Sequence, residues 1–284
     1  MAGAALMGVC NVTPDSFSDG GDAFGDSAAK ARVDLLLAEG AHIIDVGGES
    51  TRPGAAPVPA AEQVERTIPV VRYALSRGAI VSIDTADPQV AREAFLAGAH
   101  ALNDVSCLLD SRLAEVVAEF SATYILMHAR GPQEKMRGFS DYPDSGYGDV
   151  VSDVAQEWEA AAARALSLGV PRSALYFDPG LGFSKNAAQS MTLLAATRTF
   201  CDRLGVPVVV GASRKSFLRS VDAEAAPKER LGASIAAAVF AVEQGASILR
   251  VHDVRATRQA VQLNRALKRS AGEIEKGGAA CSTA

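Results

Sequence analysis

The run Ala5-Leu-Met-Gly-Val-Cys10 leads directly into Asn11-Val-Thr-Pro-Asp-Ser-Phe-Ser-Asp-Gly-Gly21, and these two segments decide how the chain folds. The first segment is short and apolar, which predicts a buried strand. The second contains a proline and two glycines that exclude regular structure, together with carboxylates, hydroxyls and one aromatic residue. Because Ser27 is a suitable N-cap for a helix, the segments predict a unit of strand, polar loop and helix.

The same unit recurs along the rest of the chain. Apolar runs that predict strands alternate with stretches whose apolar residues are three and four apart, the pattern of a helix with one buried face. The predicted strands are 5–10, 42–46, 79–84, 100–105, 123–128, 174–178, 206–210 and 247–252. The last helix is predicted to end at about Arg269, which gives a barrel domain over 1–270 and a disordered tail over 271–284.

Eight strands that alternate with helices predict an α/β protein, and their apolar character indicates parallel strands buried on both faces. The pattern fits a single (β/α)8 TIM barrel of about 250 residues, with long loops after strands 1, 2 and 5 over the carboxyl-end face. A doubly wound open sheet is the alternative, but no G-x-G-x-x-G opens the first helix. A repeated helix end before three strands, at Gly40, Gly98 and Gly245, favours the barrel.

Composition argues against several classes of function. The 284 residues carry a formal net charge of −5 without a basic stripe, which argues against nucleic-acid binding. The four cysteines are far apart, which is typical of free thiols in a reducing cytoplasm. No apolar run approaches the roughly 20 residues of a membrane span, and residues 1–8 do not resemble a signal peptide. We therefore expect a cytoplasmic protein that binds neither nucleic acid nor membrane.

Every predicted strand has a polar or charged residue at or near its carboxyl end. In (β/α)8 barrels the active site lies at this face, whereas the opposite face serves stability. The residues in these positions are Asn11, Asp45, Asp84, Asn103, His128, Asp178, Lys215, Arg250 and His252. Asp84, Asn103 and Asp178 are the hardest to explain structurally, because a buried carboxylate without a partner strongly destabilises a fold.

Other polar residues near the strand ends have simpler interpretations. We expect Asp45 to hold neighbouring loops and His128 to support the site through hydrogen bonds. Lys185 and Arg130 are interpreted as loop charges in solvent.

A planar heterocycle with N–H and NH2 groups is the ligand that this set predicts. Asp84, Asn103 and Asp178 offer carboxylates and an amide deep in the barrel mouth, and Lys215 adds a donor for a ring nitrogen or carbonyl oxygen. The sequence therefore predicts recognition of the heterocycle by hydrogen bonds.

A phosphate group is predicted beside the heterocycle. Arg250 and His252 are two residues apart, so they point to the same side of the last strand, in the quarter where barrels commonly hold phosphate. Arginine binds phosphate through paired hydrogen bonds, and histidine can donate one more. Asn11, on the adjacent first strand, can reach the same group through Mg2+, which favours phosphate and oxygen ligands.

Five motifs in order resemble the dihydropteroate synthase family of bacterial folate biosynthesis, from about residue 7 to residue 256. They are Asn11-Val-Thr-Pro-Asp-Ser-Phe-Ser-Asp-Gly-Gly21, Asp45-Val-Gly-Gly-Glu-Ser-Thr-Arg-Pro-Gly54, Asp178-Pro-Gly-Leu-Gly-Phe183, Ser213-Arg-Lys-Ser216 and Arg250-Val-His-Asp253. The resemblance implies a pterin-binding transferase that condenses 6-hydroxymethyl-7,8-dihydropterin pyrophosphate with p-aminobenzoate, giving 7,8-dihydropteroate and pyrophosphate. It also implies Mg2+ as the cofactor and a homodimer as the assembly.

The resemblance implies a role for each matching residue. The pterin contacts would be Asp84, Asn103, Asp178, Phe183, Gly211 and Lys215, and the pyrophosphate and Mg2+ set would be Asn11, Arg250 and His252. The p-aminobenzoate pocket would comprise Phe17, Thr51, Arg52, Pro53, Lys215 and Ser216, with Asp19 ordering the first loop. The catalytic set would be Asp84, Asp178, Lys215, Arg250 and His252.

A mechanism follows from this resemblance as a hypothesis. Pyrophosphate leaves the pterin methylene first, and buried Asp84 and Asp178 stabilise the resulting positive charge. The amine of p-aminobenzoate then attacks, while the first two loops close and exclude water.

Three positions depart from the family pattern, and three rival functions remain. Ala129 replaces a large residue, which we expect to loosen the pterin pocket wall, Ser184 replaces a common glycine, and Cys10 replaces an aliphatic residue. The rivals are a methyltetrahydrofolate–corrinoid methyltransferase, an aldolase with Lys215 as the Schiff-base lysine, and a silent paralogue that binds pterin without turnover.

Overall fold

The computed structural model describes residues 4–13, 21–50, 56–131 and 142–281. Its strands are β1 (Ala5–Asn11), β2 (Ile43–Gly47), β3 (Ile80–Asp84), β4 (Ala101–Asp104), β5 (Thr123–Met127), β6 (Leu175–Asp178), β7 (Val209–Val210) and β8 (Ile248–Val251). Its α-helices are α1 (Gly21–Glu39), α2 (Ala60–Ser76), α3 (Pro88–Leu96), α4 (Arg112–Phe120), α5 (Val150–Ser167), α6 (Ala187–Ala195), α7 (Thr197–Leu204), α8 (Leu231–Glu243) and α9 (Val254–Cys281).

The strands form one parallel sheet that closes on itself. Their order is β6-β5-β4-β3-β2-β1-β8-β7, with β1 paired to both β2 and β8. Closure between β6 and β7 rests on a bridge between Phe177 and Val208, where the Phe177 amide donates to the Pro207 carbonyl at 2.9 Å. The predicted (β/α)8 TIM barrel is therefore confirmed.

The main apolar core lies between the barrel and its helices. Trp158 of α5 contacts Phe177 of β6 edge-on at 5.3 Å between ring centroids, and Phe177 contacts Phe200 of α7 at 4.9 Å. The indole N–H of Trp158 donates to the Leu126 carbonyl at 2.9 Å, so the ring is buried without an unpaired donor. These contacts fix α5 and α7 against the β5–β6 side of the barrel.

A second apolar cluster fills the inside of the barrel, and the polar side chains lie nearer the carboxyl ends of the strands. Met7, Ile125, Val209 and Ile248 are buried together, apart from the main core. Because side chains two residues apart on a strand share a face, Arg250 follows Ile248 on the same face, nearer the carboxyl ends of the strands. The interior of the barrel thus changes from apolar to polar along the strands.

Four elements differ from the sequence predictions. Helix α1 begins at Gly21, so Ser27 lies inside the helix and does not cap it, and β7 is Val209–Val210 where 206–210 was predicted. The stretch 187–204, predicted as one helix, is divided at Ala196 into α6 and α7. There the Thr197 hydroxyl donates to the Leu194 carbonyl at 2.7 Å, a side-chain bond that competes with the backbone ladder. Helix α9 continues to Cys281, whereas we expected its end near Arg269 and a disordered tail from Ala271. The added segment has no proline, and its alanines, glutamates and lysine favour a helix although Gly272, Gly277 and Gly278 do not.

Candidate active site at the carboxyl ends of the strands

Asp84, Asn103 and Arg250, predicted from separate strands, lie in one hydrogen-bonded group with Asp45. The Arg250 guanidinium donates from Nε to Asp45 Oδ2 at 2.7 Å and from its second nitrogen to Asp84 Oδ2 at 2.6 Å. The Asn103 amide donates to Asp45 Oδ2 at 3.2 Å. Asp45 is fully buried, so the expectation that it only holds loops is wrong: it orients two side chains of the site.

Two buried carboxylate oxygens in this group have no hydrogen-bond partner among the described residues, Oδ1 of Asp45 and Oδ1 of Asp84. Asp104, the neighbour of Asn103, shows what a structural carboxylate looks like in the same barrel. Its oxygens accept from Ser106, from the Leu108 amide and from the Tyr124 hydroxyl. Since buried polar atoms are normally paired, the unpaired oxygens indicate that a ligand supplies donors at Asp45 and Asp84.

Burial controls the ionisation of the two predicted pterin carboxylates. Burial raises the pKa of Asp84 to about 7, where Arg250 opposes the shift and Asp45 adds to it. Burial also raises the pKa of Asp178, against the lowering effects of Lys215 and of the Gly180 amide, which donates to Oδ1 at 2.7 Å. Both carboxylates therefore bind a proton at higher pH than exposed carboxylates do.

Gly211 lies between Asp178 and Arg250. A Cβ at Gly211 would lie 3.9 Å from Asp178 Oδ2 and 3.7 Å from Arg250 Cβ. Gly211 therefore brings no side chain between the Asp178 carboxylate and Arg250.

Lys215 closes one side of the pocket. Its ammonium donates to the Leu181 carbonyl at 2.6 Å and lies 4.7 Å from the centroid of the Phe183 ring. Burial lowers the pKa of Lys215 to about 8, and Asp178 opposes that shift. The Oγ atom of Ser216 is buried without a partner among the described residues. Arg214, which precedes Lys215, binds Asp253 with 2.9 Å from Nε to Oδ2 and anchors the turn.

The predicted anion-binding residues lie at the first and last strands. Asn11, Gly47 and Asp84 end β1, β2 and β3, and a Cβ at Gly47 would lie 3.7 Å from Asn11 Oδ1 and 3.4 Å from Asp84 Cβ. His252 follows β8, and its Nδ1 lies 3.1 Å from Ser213 Oγ. Burial, then the positive charges of Arg250 and Arg214, lowers the pKa of His252 to about 3. The ring is therefore neutral near pH 7.

Phe183 belongs to a small cluster of buried apolar residues. The other members are Val105, Met127 and Ala129. Ala129 belongs to this cluster, and its expected effect on the pterin pocket stays a prediction. Ser184 adopts a left-handed backbone, with φ of +51°, and its hydroxyl donates to the Arg130 carbonyl at 2.8 Å. This bond compensates a conformation that glycine would adopt without strain.

The remaining predictions fall into two groups. Phe17, Asp19, Thr51, Arg52 and Pro53 lie outside the described residues. Lys185 was expected in solvent but is buried, and Arg130 forms an ion pair with Glu157. The sequence interpretation was therefore wrong for Asp45, which was placed at a strand end but assigned to the loops, and for Lys185. A signal was present for Asp45, because it begins a motif that carries predicted site residues.

Comparison with known proteins identifies the family. The pterin binding enzyme family matches residues 7–252 of the chain. This chain belongs to the pterin binding enzyme family. The resemblance drawn from the five motifs is also confirmed, because the dihydropteroate synthase of Synechocystis sp. is 41% identical over 266 residues, covering 93% of this chain and 90% of the relative.

Solved structures of this family agree with the fold. The dihydropteroate synthase of Xanthomonas albilineans with 4-aminobenzoic acid superposes with a TM-score of 0.86 at 39% identity, covering 93% of each chain. The enzyme from the same organism in complex with 7,8-dihydropteroate gives 0.82 at 36% identity, covering 93% of this chain and 94% of that one. The pterin-binding barrel thus extends over nearly the whole chain.

Proposed function

We propose that this chain is a dihydropteroate synthase. It would condense 6-hydroxymethyl-7,8-dihydropterin pyrophosphate with p-aminobenzoate, giving 7,8-dihydropteroate and pyrophosphate. The observation that carries the proposal is the group of buried carboxylates at the barrel mouth, with unpaired oxygens on Asp45 and Asp84 beside Arg250. The relatives named dihydropteroate synthase, and their structures with 4-aminobenzoic acid and 7,8-dihydropteroate, support it.

The pterin ring would be recognised by a fixed set of donors and acceptors. Because the Asn103 amide nitrogen donates to Asp45, its carbonyl oxygen is left to accept from the ligand. Asp84 and Asp178 would accept from ring N–H and NH2 groups, and Lys215 would donate to a ring nitrogen or carbonyl. Phe183 and the open space at Gly211 would border the ring plane.

Catalysis would rest on stabilising charge. The bond between the pterin methylene carbon and the pyrophosphate oxygen breaks, and the electron pair leaves with pyrophosphate. In their ionised forms Asp84 and Asp178, both buried, would stabilise the positive charge on the pterin. The amine nitrogen of p-aminobenzoate then forms the new bond to carbon and releases its proton to solvent. Arg250 and His252 would bind the departing anion.

The residues present fit Mg2+ that arrives with pyrophosphate. Within the described ranges no three His, Cys, Asp or Glu side chains form a metal cage. Asn11 Oδ1 lies at the end of β1 beside Gly47, whose lack of a side chain leaves room next to that oxygen. Mg2+ usually keeps several waters and takes few protein ligands beside substrate phosphates. Bound there through Asn11, Mg2+ would neutralise charge on the leaving group.

Asn11→Ala is expected to raise the Mg2+ concentration for half-maximal rate by about 10-fold or more, as loss of a metal-orienting group does elsewhere. The physical reason is the loss of one oxygen ligand, and chelation with EDTA should abolish turnover of the unmodified protein. Titration of the rate with Mg2+ measures the effect, with Asn264→Ala on α9 as the control. An unchanged Mg2+ requirement in Asn11→Ala would remove Asn11 from the metal site.

The pH profile of kcat/KM is expected to be bell-shaped. Below about pH 7 Asp84 binds a proton and loses the charge that stabilises the cation, so the rate falls as pH decreases. Above about pH 8 Lys215 loses its proton and its donor capacity, so the rate falls again. The charged groups that shift Asp84 are Arg250, Asp45, Glu49 and Asp104. The test is to measure kcat/KM between about pH 5 and 10 for the unmodified chain and for Asp84→Asn. An acid limb that is unchanged in Asp84→Asn would contradict its assignment to Asp84.

We also propose a homodimer in the cytoplasm. Leu231 and Phe240 of α8 and Leu263 and Leu267 of α9 are exposed apolar side chains on two neighbouring helices, which supports burial against a second copy. The free thiols of Cys10, Cys107 and Cys201 support the reducing compartment. In the described parts of the chain, no helix has the length and apolar character to cross a membrane. Sedimentation should give twice the 29.4 kDa chain mass, and a monomer mass would contradict the dimer.

Incorporation of labelled p-aminobenzoate tests the proposed reaction. The purified chain should convert the label into dihydropteroate only when the pterin pyrophosphate and Mg2+ are both present. Protein that binds the pterin pyrophosphate but forms no product would instead indicate a silent paralogue.

A further inference from the structure

Lys185 is a buried lysine next to the candidate pterin pocket. Its side chain is 1% exposed, and it lies in the loop between β6 and α6. The ammonium contacts three acceptors: the Phe183 carbonyl at 2.8 Å, His128 Nδ1 at 2.9 Å and the His128 carbonyl at 3.3 Å. A lysine ammonium has three protons, so each has a partner within the protein. Lys185 therefore has no proton left for a substrate.

A chain of side chains holds this ammonium in place. Because His128 Nδ1 accepts from Lys185, the ring proton lies on Nε2, which donates to Glu157 Oε2 at 3.0 Å. Burial, then Lys185, lowers the pKa of His128 to about 4, which keeps the ring neutral in this tautomer. Glu157 also accepts from Arg130 Nε at 2.9 Å, and the Arg130 guanidinium lies 3.8 Å from the centroid of the Tyr147 ring. The support thus extends from Lys185 to helix α5.

The turn Asp178-Pro-Gly-Leu-Gly-Phe183 lies between two ammonium groups. Lys185 binds the Phe183 carbonyl, and Lys215 binds the Leu181 carbonyl at 2.6 Å. Gly180 has a φ of +64°, and a Cβ there would lie 2.0 Å from the His128 carbonyl oxygen, so the turn is packed directly on the end of β5. The geometry of this turn determines where the Asp178 carboxylate and the Phe183 ring lie.

We propose that Lys185 is a positioning residue for the pterin site. By holding the Phe183 carbonyl against the His128 carbonyl and ring, it fixes the 178–183 turn in the arrangement that binds the pterin ring. The inference rests on the proposed function and adds a residue that acts through Asp178 and Phe183 rather than by contact with substrate.

Stability alone does not account for a lysine at this position. Removing an ammonium from water is costly, and burial, then Lys215, lowers the pKa of Lys185 to about 7. A methionine would fill the same space without that desolvation, but it would leave three acceptors from two segments without their donor. The buried amine therefore indicates a requirement on geometry.

Lys185→Met tests the proposal. We expect the KM for the pterin pyrophosphate to rise about 10-fold or more, as it does when outer partners of a site are removed. The KM for p-aminobenzoate should change by less than about 3-fold, whereas the melting temperature should fall because three buried acceptors lose their donor. Calorimetric binding of the pterin pyrophosphate with Mg2+ should show the same loss. A merely structural lysine would lower the amount of active protein without a selective effect on one substrate.

Two further variants sharpen the test. Tyr147→Phe removes the hydroxyl that donates to the Ser184 carbonyl at 3.0 Å, one residue beyond the turn, and should leave both KM values unchanged. Glu157→Gln weakens the hydrogen bond to His128 and should raise the KM for the pterin pyrophosphate by about 3-fold. This variant tests the proposal if Lys185→Met does not fold. Normal pterin affinity in Lys185→Met, or in Glu157→Gln where only that variant folds, would overturn the inference. An unmodified chain that neither binds nor converts the pterin would refute the proposed function instead.

Discussion

Asp84→Asn is expected to lower kcat by about 100-fold or more while the KM for the pterin pyrophosphate changes by less than about 5-fold. Asparagine keeps one oxygen acceptor for the ring, so much of the ground-state binding remains. It removes the negative charge that the developing cation requires in a buried site, where electrostatic stabilisation is strong. Steady-state kinetics with both substrates measure the effect on kcat and the effect on KM separately.

Asp104→Asn is the matched control for this experiment. Asp104 is also a fully buried carboxylate on β4, but its oxygens are bonded to Ser106, Leu108 and Tyr124. We expect Asp104→Asn to lower the free energy of unfolding while the kcat of the folded enzyme stays close to normal. Equal losses of kcat in the two variants, or unchanged turnover in Asp84→Asn, would contradict the electrostatic role of Asp84.

Arg250→Met is expected to abolish measurable turnover and to lower the free energy of unfolding by about 3–5 kcal/mol, the usual effect of removing one partner from a buried ion pair. The arginine is the cation between Asp45 and Asp84, at 2.7 and 2.6 Å, and without it both carboxylates are buried without that partner. The variant also removes a donor for pyrophosphate. Denaturant unfolding and pyrophosphate release measure the two effects.

A double variant separates these two effects of Arg250. Adding Asp45→Asn to Arg250→Met removes one of the two uncompensated charges, so part of the stability should return. Turnover should not return, because the donor to pyrophosphate is still absent. Recovery of turnover in the double variant would show that Arg250 acts only by neutralising Asp45 and Asp84.

Most of the fold could be predicted because its determinants are local. Apolar runs give the strands, helix ends such as Gly40 and Gly98 give the boundaries, and the count of eight gives the barrel. The way in which β6 and β7 close the barrel, through a single bridge from Phe177 to Val208, could not be predicted because it depends on contacts between segments. The division of α6 from α7 was missed because it depends on the Thr197 side chain.

The candidate site was predictable where position on a strand decides function. Asp84, Asn103 and Arg250 were found because strands of a barrel end at one face, and the structure joins them. The role of Lys185 was not predictable, because its burial depends on how a loop after β6 lies against His128 at the end of β5. Asp45 was misjudged since its two partners come from β4 and β8, far away in the sequence.

Pyrophosphate release by the unmodified chain tests the central claim most directly. The pterin pyrophosphate and Mg2+ would be supplied with and without p-aminobenzoate. The amounts of pyrophosphate and dihydropteroate formed in the same reaction would then be measured and compared. We expect sustained release to require p-aminobenzoate and the two products to form in equal amounts. No release under either condition, from protein that binds the pterin pyrophosphate, would contradict the assignment of this barrel as a dihydropteroate synthase.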